Sequence, residues 1–141
     1  MPEPEGDLIA DLDRLLNELI QRVTRDVLSV VKGKVTPSQF TVLRFIRLAG
    51  RSTVTAVAGG LQMTLSGVTA LTDRLVEAGL VERTRDEEDR RIVWLDLTDK
   101  GWELSLELDG LKRGLIKQYV GGLQDSEITA LNAILAKILR S

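Results

Sequence analysis

The sequence predicts a mainly α-helical single domain carrying one small β-hairpin, and three observations predict it. Apolar residues recur at spacings of three and four through both ends and much of the middle, the pattern of amphipathic helices. Two short runs rich in β-branched and aromatic residues, 80–85 and 91–97, flank a charged connection and read as a hairpin. The chain has 141 residues, 43% of them hydrophobic, enough to bury one core and too few to suggest two.

From Asp7, Leu8, Leu12, Leu15, Leu16, Leu19, Ile20, Val23, Val27, Val30 and Val31 form a broad stripe on a helix of about 25 residues. Nothing nearby in sequence covers that stripe. The next helix has a clear start: Thr36-Pro37-Ser38-Gln39 fits a capping box, with Thr36 at the N-cap, Pro37 at the first helical position and Gln39 at the third. Val35 and Phe40 are placed to staple it, and the apolar run Val42, Leu43, Phe45, Ile46, Leu48 stops at Gly50. A shorter helix from Thr53 through Val57 and Ala58 precedes the turn Gly60-Leu61-Gln62-Met63, and Ala56, Ala58 and Gly59 are small enough for close helix packing.

The helix over 64–78 is two-faced. With successive residues about 100° apart, Val68, Leu71, Thr72 and Leu75 fall on one side, and Ser66, Thr69, Ala70, Asp73 and Glu77 on the other. Thr64 suits its N-cap, and Gly79 suits a left-handed close with Leu80 folding back onto the last turn. In the hairpin that follows, Val93, Leu95 and Leu97 alternate with Ile92, Trp94 and Asp96, and the tip reads Asp86-Glu87-Glu88-Asp89-Arg90-Arg91. Beyond it, Leu104, Leu108, Leu111 and Leu115 mark one helix, and Ile128, Leu131, Leu135 and Ile138 another, separated by Gly121-Gly122. Gly110 and Gly114, one helical turn apart, read as a packing feature. A charged tip can be a solvated turn that keeps a sheet edge from sticking. Beside a groove-sized polar helix, its arginines can also enter a minor groove or clamp phosphate.

The stretch Asp89-Arg90-Arg91-Ile92-Val93-Trp94-Leu95-Asp96-Leu97-Thr98 resembles the wing signature of the MarR family of winged helix-turn-helix regulators, D-x-R-x-x-x-V-x-L-T, with Leu95 in place of the usual Val. The likeness extends upstream through Ser66-Gly67-Val68-Thr69-Ala70-Leu71-Thr72-Asp73-Arg74-Leu75-Val76-Glu77-Ala78-Gly79-Leu80-Val81-Glu82-Arg83 and downstream through Asp99-Lys100-Gly101. It covers the middle of the chain closely and the ends by helix pattern. Where relatives often carry Gly in the inter-helix turn, this chain has Gln62.

The resemblance implies a winged helix-turn-helix over 36–98 within one domain, 1–141, flanked by dimerisation helices in 1–32 and 99–141. The apolar ends alone allow a closed monomeric bundle; relatives that dimerise through these helices favour the intermolecular reading. The implied function is a sequence-specific transcriptional regulator, a dimeric repressor on an inverted-repeat operator in double-stranded DNA. The 64–78 helix would enter the major groove, with Thr64, Ser66, Gly67, Thr69, Ala70 and Asp73 near base edges and Arg74 on phosphate or an acid. The resemblance carries the minor-groove role onto Arg91 and the orienting carboxylate onto Asp89, with Arg90 second. Thr36, Ser38 and Thr53, at helix starts, suit phosphate contacts and equally suit caps. Few basic side chains line the helix, so DNA shape and wing contacts would weigh more.

Composition narrows the remaining classes. The chain has no Cys, which excludes disulfides, thiolate metal sites and the thiol oxidant sensing of some relatives, and no His, the usual general base and commonest metal ligand. No catalytic, cofactor-binding or metal site is expected. Asp11/Asp13 and Glu103/Glu107 read as solvated helix faces, and Glu87-Glu88-Asp89 lacks the ligand spacing of a calcium loop. No apolar run approaches a bilayer span, and Met1-Pro2-Glu3-Pro4-Glu5-Gly6 has no signal-peptide character, so a cytoplasmic protein without a membrane partner is expected. Net charge is −2, unusual for a DNA binder, yet 34–98 holds 9 basic against 8 acidic residues while the ends carry the acidic excess. That balance permits local basic patches at Arg44, Arg47, Arg51, Arg74, Arg90 and Arg91.

An effector, aromatic or amphipathic, is expected in a crevice where the first helix, 37–49 and 102–119 converge; core packing explains the same residues. The runner-up reading is a winged-helix protein-interaction module without specific DNA binding, which would not need the Asp89/Arg91 wing.

Overall fold

Asp7 opens the first helix: its carboxylate accepts from the Ile9 backbone N–H at 3.0 Å, satisfying one free amide of the first turn. The computed structural model describes residues 6–141, so residues 1–5, read above for their lack of signal character, lie outside the described residues. In chain order the elements are α1 (Leu8–Val31), α2 (Pro37–Ala49), α3 (Val54–Leu61), α4 (Leu65–Glu77), β1 (Val81–Arg85), β2 (Val93–Leu97), α5 (Asp99–Tyr119) and α6 (Asp125–Leu139).

Side-chain caps set most of these boundaries. At α2 the capping box is complete: Thr36 Oγ1 accepts from the Gln39 N–H at 3.2 Å, and Gln39 Oε1 accepts from the Thr36 N–H at 2.9 Å. Val35 and Phe40 enter the same apolar cluster, as a staple requires. Thr53, Thr64 and Thr98 cap α3, α4 and α5 in the same manner, each accepting a backbone N–H three residues on at 3.1 Å. At the far end of α4, Gly79 takes φ 74°, the Leu80 N–H reaches the Leu75 carbonyl at 2.9 Å, and the Gly79 N–H reaches the Val76 carbonyl at 3.0 Å. This is a Schellman close, and it uses the amide that the sequence reading gave to a strand.

The first strand therefore starts at Val81 rather than Leu80. The second starts at Val93 rather than Arg91, because the Ile92 N–H turns back to the Asp89 carbonyl at 3.0 Å and the Ile92 carbonyl accepts from the Asp86 N–H at 2.9 Å. Antiparallel register pairs Val81 with Leu97, Arg83 with Leu95 and Arg85 with Val93. Ser52 adds a third short rung, exchanging both backbone bonds with Leu95 at 2.8 and 3.0 Å.

The helix-turn-helix bends the chain by 116° between α3 and α4. Gly60 and Leu61 are still helical, so the turn begins at Gln62, whose left-handed φ 53°, ψ 43° closes α3. A side chain there costs about 1–2 kcal/mol relative to glycine. Of the small residues expected to allow close packing, Ala58 is buried against α2, Ala56 is exposed and Gly59 has nothing within 4 Å of an added Cβ, while Gly60 also meets α2, since a Cβ there would stand 2.3 Å from the Phe45 ring.

The main core joins Val42, Leu43 and Ile46 of α2, Val57 and Ala58 of α3, Val68 and Leu75 of α4, and Leu80, Val81 and Leu95 from the turn and hairpin. Full burial of each large side chain contributes about 1.5–3 kcal/mol. A smaller cluster joins Val31, Phe40 and Leu108, tying the end of α1 and the middle of α5 to α2. Away from these clusters the apolar stripes stay uncovered. Leu12, Leu15, Leu16, Leu19 and Ile20 of α1 are about half or more exposed, and α6 buries no residue. Gly110 and Gly114 likewise have nothing within 4 Å of an added Cβ, so neither packs against another part of the chain.

Gly101 is the most crowded of the glycines, because a Cβ there would fall 2.0 Å from the Leu80 carbonyl oxygen, a backbone atom that cannot swing aside. Gly101→Ala should destabilise by about 3 kcal/mol, the upper range for an overpacked site. Gln62→Gly should stabilise by about 0.5–1 kcal/mol by removing the left-handed penalty net of glycine's added chain entropy. Urea unfolding of the three proteins at one concentration checks both signs; equal midpoints would contradict the geometry of both turns.

Candidate nucleic-acid interface

Amphipathicity orients α4: Val68, Thr72 and Leu75 are buried, so Ser66, Thr69, Ala70, Asp73 and Arg74 face solvent. Thr64 begins this face, and its hydroxyl is engaged as the N-cap. Gly67 leaves room for that cap, because a Cβ there would lie 2.9 Å from Thr64 Oγ1. The Thr69 hydroxyl donates to the Leu65 carbonyl at 2.9 Å, so outward it offers a methyl group and oxygen lone pairs. Such a face accepts hydrogen bonds from cytosine or adenine amino groups and suits a thymine methyl. Asp73 is not free: its carboxylate forms an ion pair with Arg83 of β1, which ties the helix to the hairpin. Arg83 was missed by sequence reasoning. The available signal was a basic residue on the strand face that carries Leu95, where register places an apolar partner.

The hairpin tip is organised by two carboxylates. Asp89 receives Arg91 in a fork, Nε to Oδ1 at 3.0 Å and Nη2 to Oδ2 at 3.1 Å, and also accepts the Arg91 backbone N–H at 3.1 Å. The guanidinium and then the backbone N–H of Arg91 hold the Asp89 carboxyl below its usual range, and Asp89 in turn raises Arg91. With its side chain 90% exposed, Arg91 gains little stability from this pair; the fork fixes direction. Arg90 is exposed, and its carbonyl accepts from Arg85 Nη1 at 2.7 Å.

Asp86 is the second carboxylate. Its Oδ2 accepts from the Trp94 indole N–H at 3.0 Å, and its Oδ1 accepts the backbone N–H groups of Glu88 at 2.9 Å and Asp89 at 3.1 Å. Those donors, the indole first, hold Asp86 below the usual carboxylate range. A depressed carboxylate contributes its stability above its unfolded pKa and loses it as pH falls through the lower folded value. The tip is therefore fully bonded at neutral pH and loosens only in strong acid. Above the indole, the Arg51 guanidinium stands 4.4 Å from the ring centroid. Neither Trp94 nor Asp86 was singled out in the sequence; the alternation showed only that Trp94 faces away from Leu95.

The helix-start residues Thr36 and Thr53 are both working caps, with hydroxyl hydrogens still available to an anion, while Ser38 is exposed in the first turn of α2. Arg44 and Arg47, expected in basic patches, instead converge on Asp109 of α5. Arg47 is only 10% exposed and also donates to Ser105 at 2.9 Å. The expected crevice is present as a groove of about 250 Å³ lined by Val23, Thr24 and Val27 of α1, Pro37, Phe40 and Thr41 of α2, and Lys112 of α5. Among the described residues no group of three acidic side chains converges, and no single helix is long and apolar enough to cross a membrane.

Comparison with known proteins places this architecture. The model of the MarR family matches residues 34–92, the span from before α2 to the end of the wing loop. The chain is 30% identical over 135 residues to the HTH-type transcriptional repressor MdtR of Bacillus subtilis, covering 95% of this chain and 87% of that protein. It is 31% identical over 128 residues to the multiple antibiotic resistance protein MarR of Escherichia coli, covering 90% and 82%. Among solved structures, a mutant MarR from E. coli complexed with operator DNA superposes with a TM-score of 0.78 at 30% identity, covering 95% of this chain and 99% of that one. On its core motifs, its hairpin and these likenesses along nearly its full length, the chain belongs to the MarR family of winged helix-turn-helix transcriptional regulators.

Proposed function

We propose that this protein is a sequence-specific DNA-binding repressor that acts in the cytoplasm as a homodimer on an inverted-repeat operator. The observation that carries the reading is the pairing of an outward polar face on α4 with an arginine fork at the hairpin tip. In the proposed complex, α4 lies in the major groove with Thr64, Ser66, Gly67, Thr69 and Ala70 near base edges. Asp73 limits the approach of phosphate, and Arg74 contacts the backbone. Arg91, held by Asp89, enters the minor groove, with Arg90 on phosphate, while Thr36, Ser38 and Thr53 add neutral phosphate contacts.

Two copies are needed because α1 and α6 leave their apolar stripes uncovered. Joining them in a twofold arrangement would bury these stripes and present two reading helices. The related MarR structure with operator DNA supports the DNA partner. Release would come from an aromatic or amphipathic ligand in the groove between α1, α2 and α5, where Lys112 offers a cation over an apolar floor. Such a ligand acts only through preference for the free conformation; a tenfold loss of DNA affinity needs about 1.4 kcal/mol of difference.

Light scattering at micromolar concentration should return twice the 15.6 kDa chain mass, and a monomer there would sink the symmetric model. Selection from a random DNA pool should yield an inverted repeat. On that site, Arg91→Ala should weaken binding by roughly 1–3 kcal/mol and lower the salt slope by about 1, and Thr69→Ala should relax one base position. Unchanged affinity for Arg91→Ala across a salt titration would show that the wing is not used. Aromatic carboxylates and phenols should include a compound that both raises the melting temperature of the free protein and releases the operator; a panel that does neither would remove the effector from the scheme.

A further inference from the structure

We propose that Trp94 is a positioning residue for the wing arginine, acting through Asp86: its indole N–H fixes the carboxylate that folds the tip on which Asp89 and Arg91 stand. The inference rests on the wing being used on DNA and adds a residue that touches no DNA itself.

The tip lies beyond the apolar core. After Arg85, the last paired residue of β1, seven residues pass before Val93 rejoins the sheet, and no fully buried side chain lies among them. What shapes this segment is Asp86. One of its oxygens gathers the Glu88 and Asp89 N–H groups, and the other is held by Trp94. Trp94 pairs with Thr84 in the antiparallel register, so Asp86, two residues on, is its diagonal neighbour on the same face. The indole is itself held. Arg51 covers its ring, and the adjoining Ser52 is locked to β2 by two backbone bonds.

A path of a cation–π contact and hydrogen bonds, joined by covalent links, therefore runs from the helix-turn-helix body to the exposed guanidinium: Ser52 and Arg51, Trp94, Asp86, the Asp89 amide, the Asp89 carboxylate, Arg91. Remove the indole N–H, and one Asp86 oxygen turns to water while its side chain regains rotamer freedom. The Glu88 and Asp89 amides then lose a fixed acceptor. An arginine entering a narrow groove must then be ordered on binding rather than before it.

Trp94→Phe keeps an aromatic ring under Arg51 and removes the donor. Binding to the selected operator should fall about 3–10-fold, the range of one net hydrogen bond, and the salt slope should drop as it does for Arg91→Ala. In an Arg91→Ala background the same substitution should change affinity by less than about 1.5-fold, because the residue it serves is gone. Asp86→Asn, which cannot accept from the indole through its amide nitrogen, should reproduce the phenotype while the unfolding midpoint stays near that of the parent. Independently of DNA, amide hydrogen exchange in the free protein should quicken at Glu88 and Asp89 by about 5-fold or more in Trp94→Phe, with Val81 and Leu95 unchanged. Parental exchange at Glu88 and Asp89 would overturn the proposal, as would equal losses of affinity in both backgrounds. If the exchange result holds but the parent selects no DNA, the functional reading fails and the tip architecture stands.

Discussion

A single close backbone contact sets the geometry of this protein: the first turn of α5 sits against the carbonyl of Leu80 with no space for a side chain at Gly101. Around that contact the Leu80 carbonyl accepts the Thr98 N–H at 3.1 Å, the Gly79 carbonyl accepts the Thr98 hydroxyl at 2.6 Å, and Lys100 reaches the Ala78 carbonyl at 3.1 Å. The carbonyls of the turn that follows α4 are thus covered by the start of α5. Both strands also begin or end here, with Val81 paired to Leu97. α4, the hairpin and the long α5 arm leave one knot, and their mutual angles follow from it.

A second joint links the same arm to the other side of the helix-turn-helix. Asp109 of α5 takes both Arg44 and Arg47 of α2, and Ser105 takes Arg47 as well. A nearly buried guanidinium is costly unless every donor direction is met, so this joint favours one register of α2 against α5 and penalises others. Further along, Tyr119 donates to Asp26, and Lys34 pairs with Glu107, closing α1 onto α5. The groove between α1, α2 and α5 is lined instead by Val23, Thr24, Val27, Pro37, Phe40, Thr41 and Lys112.

Charge is spent locally in this molecule. A net charge of −2 provides no long-range attraction for a polyanion. Much of the basic content is committed internally: Arg44 and Arg47 to Asp109, Arg83 to Asp73, Arg51 to the Trp94 ring. Arg91 is both oriented and open, and Arg74 and Arg90 are also exposed. Affinity built this way depends on placement of a few groups rather than on a broad positive field.

The sequence alone determined the helices, their caps and the hairpin, because these follow from interactions within a few residues. Thr36 with Gln39, Gly79 with Leu80, and the alternation through Leu95 each complete a local hydrogen-bond or burial pattern that periodicity exposes. The wing pair Asp89 and Arg91 was legible through the resemblance to the MarR wing signature, and the fork between them follows from their being two residues apart. Tertiary structure alone decided the long-range partners. Gly60 rather than Gly59 meets Phe45, and Gly101 is glycine because of a carbonyl twenty-one residues earlier. Asp73 answers to Arg83, and Arg44 and Arg47 answer to Asp109, so apparent surface charges become joints. Trp94 gains its role only when the hairpin register sets it diagonal to Asp86 and Ser52 brings Arg51 over its ring. Such contacts carry no periodic signature, since they depend on which surfaces the folded chain brings within a few ångströms.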